Sequence, residues 1–357
     1  MTTQTNDDAM LRGQAQIFQY IYGGFDGMAI RCCVELRIAD IINNHGRPTS
    51  LSEISTAIGS PSINIDGLRR LMMFLVHRKV FDWTVHESEE GECEPLYSLN
   101  HCSKWLLCDT NVSLVPMVML RTNPIAALPQ HVLSRSIKEG GTAFKIVHGQ
   151  EFFDLCMLNS DFNNLFNEGM ACTARLTTDV VISSYKEGFL GSKGTLVDVG
   201  GGTGTAISEI IKAYPHLKGI NFDLPHVISS APSYDDSNIT HVAGDMFISV
   251  PPAETIFMKW ILHDWSDDDC IKILQNCRKA ISKETGKLII VDIVQQPKAR
   301  DIFNDIRFTY DLVMFSHFSG GRERTENEWK KLLKEGGFGH YNIIKIPALQ
   351  SIIEAFP

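Results

Sequence analysis

Short apolar runs alternate with helical segments through the second half of the sequence, and this alternation constrains the fold more than any other feature. The apolar runs predict strands at residues 195–199, 219–223, 241–243, 255–258 and 287–292. Helical periodicity occupies 205–214 and 267–282, and 341–346 with 351–356 can form a hairpin. Such alternation is typical of a parallel sheet covered on both faces, with ligands beyond the carboxyl ends of its strands. The sequence therefore predicts an α/β domain with its site at that edge.

The first predicted strand runs into a glycine-rich turn, DVGGGTG at residues 198–204, which a helix follows. Glycine lets the backbone turn tightly and approach a ligand closely. Gly200 and Gly202 fit a dinucleotide fingerprint, but Thr205 stands where its third glycine would be. The turn also contains no Lys or Arg to meet a pyrophosphate. This pattern favours a phosphate-free nucleoside, of which S-adenosylmethionine is the common one, over a nicotinamide cofactor.

Polar residues at the ends of the next strands strengthen this interpretation. Asp223 can accept both hydroxyls of a ribose, and Asp245 can accept an adenine amino hydrogen while Met246 packs on the ring. Lys259 can face the carboxylate of a methionine moiety. Each aspartate alone is as often a helix cap or a solvated loop residue. Such features at three successive strand ends are far less expected by chance, so we predict a nucleoside site.

The first third of the sequence has a different pattern. Helical spacing runs from 14 to 44 with a break at Gly23 and Gly24, and further helices are predicted at 51–58 and 64–77. The helices and the following β-like pieces, at 80–84 and 96–99 around an acidic turn at 87–94, indicate a winged helix. The acidic turn would repel phosphate, which argues against binding to DNA. We expect this region to serve in dimerisation or in capping the substrate.

Charge and cysteine content restrict the partners. Lys plus Arg minus Asp plus Glu is 33 − 42 = −9, which disfavours nucleic acid as a partner. None of the nine cysteines forms a CxxC pair, as expected for reduced thiols in a cytoplasmic protein. No apolar run approaches the ~18 residues that would span a bilayer, and we expect no membrane partner.

Five motifs together resemble the plant S-adenosylmethionine-dependent O-methyltransferases of the caffeic acid/isoflavone type. They are LVDVGGGTG at 196–204, FDLPH at 222–226, GDMF at 244–247, KWILHDW at 259–265 and GRERT at 321–325. The resemblance covers essentially the whole chain and is greatest to the benzylisoquinoline alkaloid enzymes. It implies a homodimer in which a winged-helix-like dimerisation domain (1–115) and a helical connector and pocket segment (116–185) precede the S-adenosylmethionine-binding domain (186–357).

The resemblance also implies the details of that last domain. Its Rossmann-like sheet would have seven mostly parallel strands, the last one antiparallel. By motif match, the cofactor would be held by Gly200, Asp223, Leu224, Asp245, Met246 and Lys259. His263 would be the catalytic base, flanked by Asp292 and Glu323.

Elementary chemistry supports a base at His263, which follows a predicted strand at its carboxyl end. A phenol, with a pKa near ~10, needs a base that titrates closer to neutral pH, as histidine does at ~6.5. The sulfonium already activates the methyl group, so we expect no metal. A carboxylate at the second imidazole nitrogen would fix the tautomer, and Asp292, Glu323 or Asp264 could supply it. The family usually has Glu where this chain has Asp292, a side chain one methylene shorter.

Family position also suggests an apolar pocket for an aromatic acceptor, lined by Phe162, Phe166, Met170, Met314 and Phe318. Asp311 could meet a cationic amine. We expect methylation of a phenolic hydroxyl, most consistent with a benzylisoquinoline-type alkaloid. The alternatives are lignan, flavonoid or phenylpropene phenols, or an N-methyltransferase. From other classes come a nicotinamide dehydrogenase and a winged-helix DNA-binding regulator with a ligand-binding domain.

Overall fold

The computed structural model describes residues 2–87, 93–233 and 238–357. The chain forms two compact units, Met1–Asn123 and Pro124–Pro357. The predicted dimerisation domain ends at 115, and the predicted connector, 116–185, is divided between the two units. That functional division stays a prediction.

The first unit contains six α-helices and three strands in its described part. They are α1 (Thr2–Tyr22), α2 (Gly24–Glu35), α3 (Ile38–His45), β1 (Thr49–Ser50), α4 (Leu51–Ile58), α5 (Ile65–His77), β2 (Phe81–Glu87), β3 (Cys93–Leu99) and α6 (Val115–Arg121), with a 3-10 turn at Ser103–Leu106. The strands pair antiparallel in the order β1-β3-β2. Helices followed by a β2–β3 hairpin match the predicted winged-helix pattern, although the predicted acidic turn lies mostly outside the described residues.

Local chemistry explains where these helices begin and end. Helix α4 begins at a capping box, in which Ser50 Oγ accepts from the Glu53 N–H and the Glu53 carboxylate accepts from the Ser50 N–H. The chain turns between α1 and α2 at Gly23, as predicted. A second break, between α2 and α3, was not predicted from the sequence. It occurs at Arg37, whose φ of 52° is unusual for a residue other than glycine.

The second unit begins with helices and continues as an α/β sheet. The helices are α7 (Pro124–Ala127), α8 (Leu133–Glu139), α9 (Ala143–His148), α10 (Phe152–Leu158), α11 (Ser160–Ser184) and α12 (Lys186–Leu190), with a 3-10 turn at Leu128–Val132. The sheet region follows with β4 (Thr195–Val199), α13 (Thr205–Ala213), β5 (Lys218–Asp223), α14 (Pro225–Ile228), β6 (Ile239–Ala243), β7 (Thr255–Lys259), a 3-10 turn (Leu262–Asp264), α15 (Asp267–Ala280), β8 (Lys287–Asp292), β9 (Val294–Gln295), α16 (Asn304–His317), β10 (Arg324–Thr325), α17 (Glu326–Glu335), β11 (His340–Lys345) and β12 (Ser351–Phe356).

Seven of these strands form one sheet in the order β11-β12-β8-β7-β4-β5-β6. Strands β4 to β8 pair in parallel, whereas β12 pairs antiparallel with both β8 and β11. The final strand therefore inserts between β11 and β8. The structure confirms the predicted α/β class, the mostly parallel sheet of seven strands and the antiparallel last strand.

Alternate residues of the central strands enter two separate cores, one on each face of the sheet. Val197, Met258 and Ile290 pack on one face, with residues of α15 and α17. Leu196 and Phe257 pack on the other face, with residues of α11, α12 and α13. Burial on both faces explains why the strands are continuous apolar runs. Their carboxyl ends then meet at one edge.

No helix in the described part of the chain is both long enough and apolar enough to cross a membrane.

Candidate active site

The glycine-rich turn after β4 is tied to the end of β5. The N–H groups of Gly200 and Gly201 donate to the Phe222 carbonyl at 2.9 and 3.3 Å. Gly200 has a φ of 69°, and a Cβ there would lie 2.4 Å from the Ile261 side chain. The Gly202 N–H donates to Asp223 Oδ2 at 2.8 Å, and the Leu224 N–H donates to Oδ1 at 2.7 Å. The structure thus brings together the predicted residues Gly200, Gly202, Asp223 and Leu224.

The next strand end lies beside this turn. Asp223 and Ala243 are register partners in β5 and β6, and the Gly244 N–H donates to the Asp223 carbonyl at 2.9 Å. Asp245 follows directly, with Oδ1 accepting from the Phe247 N–H at 2.8 Å. Met246 is half-buried against the core. Asp223 and Asp245, predicted from successive strand ends, therefore lie at adjacent positions along the edge.

Lys259 is the last residue of β7, and its side chain is half-buried without a charged partner in contact. Its side chain makes no hydrogen bond or ion pair with any residue that the structure describes, and its Nζ lies 4.6 Å from the centre of the Trp260 ring. Burial lowers the pKa of Lys259 to about 8, and the negative charges of Asp198 and Asp292 oppose that shift. A half-buried ammonium without a direct partner is suited to an anionic ligand group.

Two buried residues beside the turn were not predicted as site residues. Asp198 is 2 % exposed, and burial raises its pKa to about 7 despite the Lys259 charge. Its Oδ2 has no hydrogen-bond partner among the described residues, and neither has Asn221 Oδ1. A Cβ at Gly201 would lie 2.2 Å from Asn221 Oδ1, so glycine is required there. The sequence offered one signal, an Asp and an Asn inside otherwise apolar strands.

His263 lies in the short turn after β7 and is 3 % exposed. Its Nδ1 lies 2.8 Å from Glu323 Oε1 and 3.5 Å from Asp292 Oδ1, while Nε2 lies 3.5 Å from Asp264 Oδ1. An ionised Glu323 accepts the Nδ1 hydrogen, which leaves the lone pair on Nε2. The structure therefore brings His263, Asp292 and Glu323 together, with the closer contact from Glu323.

Both carboxylates are buried and hold their protons more tightly than usual. Burial raises the pKa of Asp292 to about 6, and the facing His263 opposes the shift. Burial, aided by repulsion from Asp311, raises the pKa of Glu323 well above its ordinary value. Asp292 Oδ2 and Glu323 Oε2 have no hydrogen-bond partner among the described residues. The cluster can thus take up a proton, and an imidazolium at its centre would be stabilised by either carboxylate in its ionised form.

The same three residues each offer an atom within 4.8 Å of the others, which raises the question of a metal ion. Nδ1 and Oε1 are only 2.8 Å apart, the length of a hydrogen bond. Ligands of a tetrahedral zinc ion are separated by about 3.3 Å, because each lies ~2.0 Å from the metal. The arrangement therefore fits a proton between nitrogen and oxygen better than an ion.

Aromatic side chains gather beside the site. Phe152 contacts three of the predicted pocket residues, with ring centres 5.7 Å from Phe162, 5.1 Å from Phe166 and 4.9 Å from Phe318. Phe153 stacks on Trp265 at 5.8 Å. Phe152, Phe153 and Trp265 were not predicted, because nothing in their local sequence separates them from ordinary core aromatics.

The remaining predicted pocket residues lie on α11 and α16. Met170 is half-buried on α11, four residues after Phe166, and Met314 is buried on α16, four residues before Phe318. Asp311 Oδ1 accepts from the Glu323 N–H at 2.9 Å. Asp311, Phe318 and Glu323 line a cavity of about 520 Å³. The predicted residues Asp311, Phe318 and Glu323 therefore border one space.

Comparison with known proteins identifies the class. The chain matches the family model of the O-methyltransferase dimerisation domain over residues 18–109 and that of the O-methyltransferase domain over 130–339. The fold is that of a solved human N-acetylserotonin methyltransferase in complex with SAM (TM-score 0.82, 20 % identity, 96 % of this chain and 97 % of that chain). It is also that of LaPhzM (TM-score 0.79, 27 % identity, 96 % and 99 %). Fold and site together define an α/β methyltransferase.

Two curated relatives narrow the assignment further. The chain is 47 % identical to (R,S)-reticuline 7-O-methyltransferase of Papaver somniferum, covering 97 % of this chain and 98 % of that protein. It is also 47 % identical to xanthohumol 4-O-methyltransferase of Humulus lupulus, covering 98 % and 97 %. The chain belongs to the plant S-adenosylmethionine-dependent O-methyltransferases, which confirms the resemblance seen in the sequence. The dehydrogenase and DNA-regulator alternatives are thereby set aside.

Proposed function

We propose that the enzyme methylates a phenolic hydroxyl of an aromatic metabolite, with His263 as the general base. The observation that carries this proposal is the 2.8 Å contact between His263 Nδ1 and Glu323 Oε1. It directs the Nδ1 hydrogen toward a carboxylate and leaves Nε2 free to accept a proton from the acceptor phenol. The buried Asp292 and Glu323 then stabilise the imidazolium that forms.

The residues at the glycine-rich turn suit S-adenosylmethionine. Lys259 offers a cation for a carboxylate, the buried Asp198 offers an unpartnered oxygen for an ammonium, and Asp223 offers a carboxylate for ribose hydroxyls. When bound, S-adenosylmethionine supplies a methyl group already activated by a positive sulfur. We propose that Gly200, Gly202, Leu224, Asp245 and Met246 complete this site, and that the reaction needs no metal ion.

Replacing His263 tests the base. In His263→Ala we expect turnover to fall by about a thousandfold, since positioned acid–base groups contribute roughly 10²–10⁴. Cofactor affinity should stay within about twofold, because no predicted cofactor contact is removed. The matched control is His131→Ala, which replaces an exposed histidine of the same unit. Assays with and without a chelator test the metal at the same time. Near-normal turnover in His263→Ala would show that the base assignment is wrong.

For the acceptor, we propose a benzylisoquinoline-type alkaloid whose cationic amine meets Asp311. The half-buried Asp311 borders the cavity that Glu323 also lines, which supports this choice. The equal identity to a relative named for xanthohumol makes an uncharged flavonoid the alternative. Methylation of a panel containing both classes, with the products mapped by mass fragmentation, also separates O- from N-methylation.

The Asp311→Asn variant sharpens that panel. We expect kcat/KM for an amine-bearing phenol to fall by about tenfold relative to that for a flavonoid, because only the amine loses a charge partner, whereas any effect of Asp311 on Glu323 is common to both substrates. Asn retains an oxygen to accept the Glu323 N–H. Asp305→Asn, an exposed site on the same helix, is the control. Equal losses for both substrate classes would count against the alkaloid and leave the O-methyltransferase assignment intact.

We further propose that the enzyme is a homodimer joined through the first unit. Helices α1 and α2 expose apolar side chains there, with Phe18, Ile21 and Phe25 respectively 50, 63 and 69 % exposed. Exposed apolar surface of this kind marks an interaction site. Light scattering should give twice the chain mass for the native protein and one chain mass for Phe25→Glu. Met73→Glu, at an exposed position on α5, should leave the dimer intact.

A further inference from the structure

The turn that carries His263 is held from outside by one arginine. Arg324 is 0 % exposed, and its Nη1 donates to the Leu262 carbonyl at 2.8 Å. Its Nη2 donates to the Trp265 carbonyl at 2.9 Å, so the guanidinium binds the chain on both sides of His263. Nε and Nη2 both donate to Asp267 Oδ1, at 2.9 and 2.8 Å. A 3-10 turn of three residues cannot hold this geometry alone.

The residues before Arg324 contact the same turn. The Arg322 N–H donates to the His263 carbonyl at 2.8 Å, and Glu323 meets the imidazole. Arg324 itself pairs in β10 with Val294 of β9, two residues after Asp292. The segment therefore fixes the backbone of the turn and both carboxylates relative to each other.

Arg324 also affects the charge of the cluster. Its positive charge lowers the pKa of both Asp292 and Glu323, opposing the rise that burial causes. The other charged or titratable groups that act on the cluster are His263, Asp264, Asp311, Lys259, Cys270 and Asp267. Among these, Asp264, Asp267 and Asp311 add negative charge. Arg324 is the cation that offsets them from within hydrogen-bond distance of the turn.

We propose that Arg324 is a positioning residue for the methyl transfer, one that aims the His263 imidazole by binding the carbonyls on both sides of it. The inference rests on the proposed role of His263 as the base. Geometry requires arginine, because a lysine has no planar fork that reaches two carbonyls and a carboxylate at once.

Two substitutions separate the effect of the guanidinium's hydrogen bonds from the effect of its positive charge. Arg324→Lys keeps the charge, so we expect kcat to fall by about tenfold or more with KM changed less than about threefold, and the acid limb of kcat/KM against pH to stay in place. Arg324→Gln removes the charge that lowers the pKa of Asp292 and Glu323, so these carboxylates bind their protons at higher pH, and the acid limb moves up by about half a pH unit. At each pH, kcat/KM is calculated from the concentration of folded enzyme, so that partial unfolding does not shift the limb.

The matched control is Arg307→Lys. Arg307 is also buried, bonded to the Asp301 carboxylate and the Leu349 carbonyl, and makes no contact with His263 among the described residues. The Arg307→Lys protein should be less stable, but its kcat, its KM and the acid limb of kcat/KM against pH should not change. The inference is overturned if the Arg324 variants behave like Arg307→Lys, with a normal kcat per folded enzyme and a normal acid limb.

Asp267→Asn covers the case in which Arg324 variants fail to fold. Asp267 is half-exposed, so its change is tolerable, yet it removes the charge that anchors Arg324. We expect kcat to fall by about threefold to fivefold, and an unchanged kcat and pH profile would overturn the inference. His263→Ala distinguishes the two failures. If it stays active, the proposed base is wrong, whereas an inactive His263→Ala beside normal Arg324 variants removes only the inference.

Discussion

The buried Arg324 and the half-buried Lys259 lie at the same edge of the sheet and differ in their hydrogen bonds. Each of the three nitrogens of Arg324 donates to a carbonyl or a carboxylate. The Lys259 side chain makes no hydrogen bond or ion pair to the described residues. Each packs near a tryptophan, Arg324 at 5.7 Å from Trp329 and Lys259 at 4.6 Å from Trp260.

The two indoles repeat the contrast. Trp329 Nε1 donates to the Ile293 carbonyl at 3.1 Å, whereas Trp260 Nε1 is buried without a partner among the described residues. Trp260 also has a φ of 56°, a conformation that costs a bulky residue energy. Unsatisfied groups and backbone strain collect at sites that bind ligands. The contacts of Arg324 stabilise the fold, whereas the unsatisfied groups around Lys259 belong to the region that we propose binds the cofactor.

The largest expected difference lies in stability. Without the guanidinium the Leu262 and Trp265 carbonyls lose their donor, and an unsatisfied buried polar group costs about 1–3 kcal/mol, so Arg324→Met should lose about 3–5 kcal/mol of unfolding free energy. Lys259→Met should lie within about 1 kcal/mol of the native protein or above it, because the desolvated ammonium is removed. Urea titration of both ligand-free variants measures this. A large loss in Lys259→Met would break the comparison.

For S-adenosylmethionine affinity we expect the opposite order, with a larger loss in Lys259→Met than in Arg324→Met. Loss of the ammonium at Lys259 should raise the dissociation constant by about a hundredfold, equivalent to about 2.7 kcal/mol. Calorimetric titration measures it, with Lys212→Met on α13 as a control for a lysine outside the site. If Lys259→Met binds as tightly as the native enzyme, the cofactor role of Lys259 is wrong.

The pH dependence of binding sharpens the same point. The pKa of Lys259 in the ligand-free enzyme is about 8, below the ordinary 10.5. Only the protonated form attracts a carboxylate, so affinity should fall as the pH rises above 8, by up to about tenfold per pH unit. In Lys259→Met this decline should disappear. A decline that persists in the variant would assign it to another group.

The smallest expected effect concerns the tryptophan beside Lys259. A cation–π contact contributes about 0.5–1 kcal/mol, so Trp260→Leu should weaken cofactor binding about threefold to fivefold. Trp260→Phe keeps an aromatic face and should change binding less than about twofold. Trp329→Phe should reduce stability instead, because it breaks the bond to Ile293. Cofactor titrations and thermal melts on the three proteins distinguish these outcomes, and equal affinity losses in Leu and Phe would reject the contact.

The sequence predicted the architecture because apolar runs and glycine turns are local signals. The strands at 195–199 and 287–292 coincide with the observed β4 and β8. The insertion of β12 between β11 and β8 could be expected only from the family resemblance. The break at Arg37 was missed because its positive φ occurs at a residue other than glycine, and so the sequence carries no local signal for it.

For the site, His263, Asp223 and Lys259 could be predicted because each stands at a strand end. The contact between His263 and Glu323 joins residues 60 positions apart, and no local pattern predicts it; it followed from the resemblance. The hydrogen bonds from Arg324 to the Leu262 and Trp265 carbonyls were not predicted for the same reason, although Arg324 lies in the GRERT motif. Asp198 was read only as part of a strand, since its unpartnered oxygen becomes visible only in three dimensions.

The position of β12 has a consequence for synthesis on the ribosome. Strand β8, which ends in Asp292, has β7 on one side and β12 on the other, so its second edge is bare until residues 351–356 emerge. That edge belongs to a run of fully buried apolar residues, and bare apolar edges recruit other chains. The nascent chain therefore exposes an apolar strand edge from the time β8 is made until β12 has been translated. Deletion of β12, or a change that prevents it from pairing with β8, should make the chain aggregate before it impairs methyl transfer.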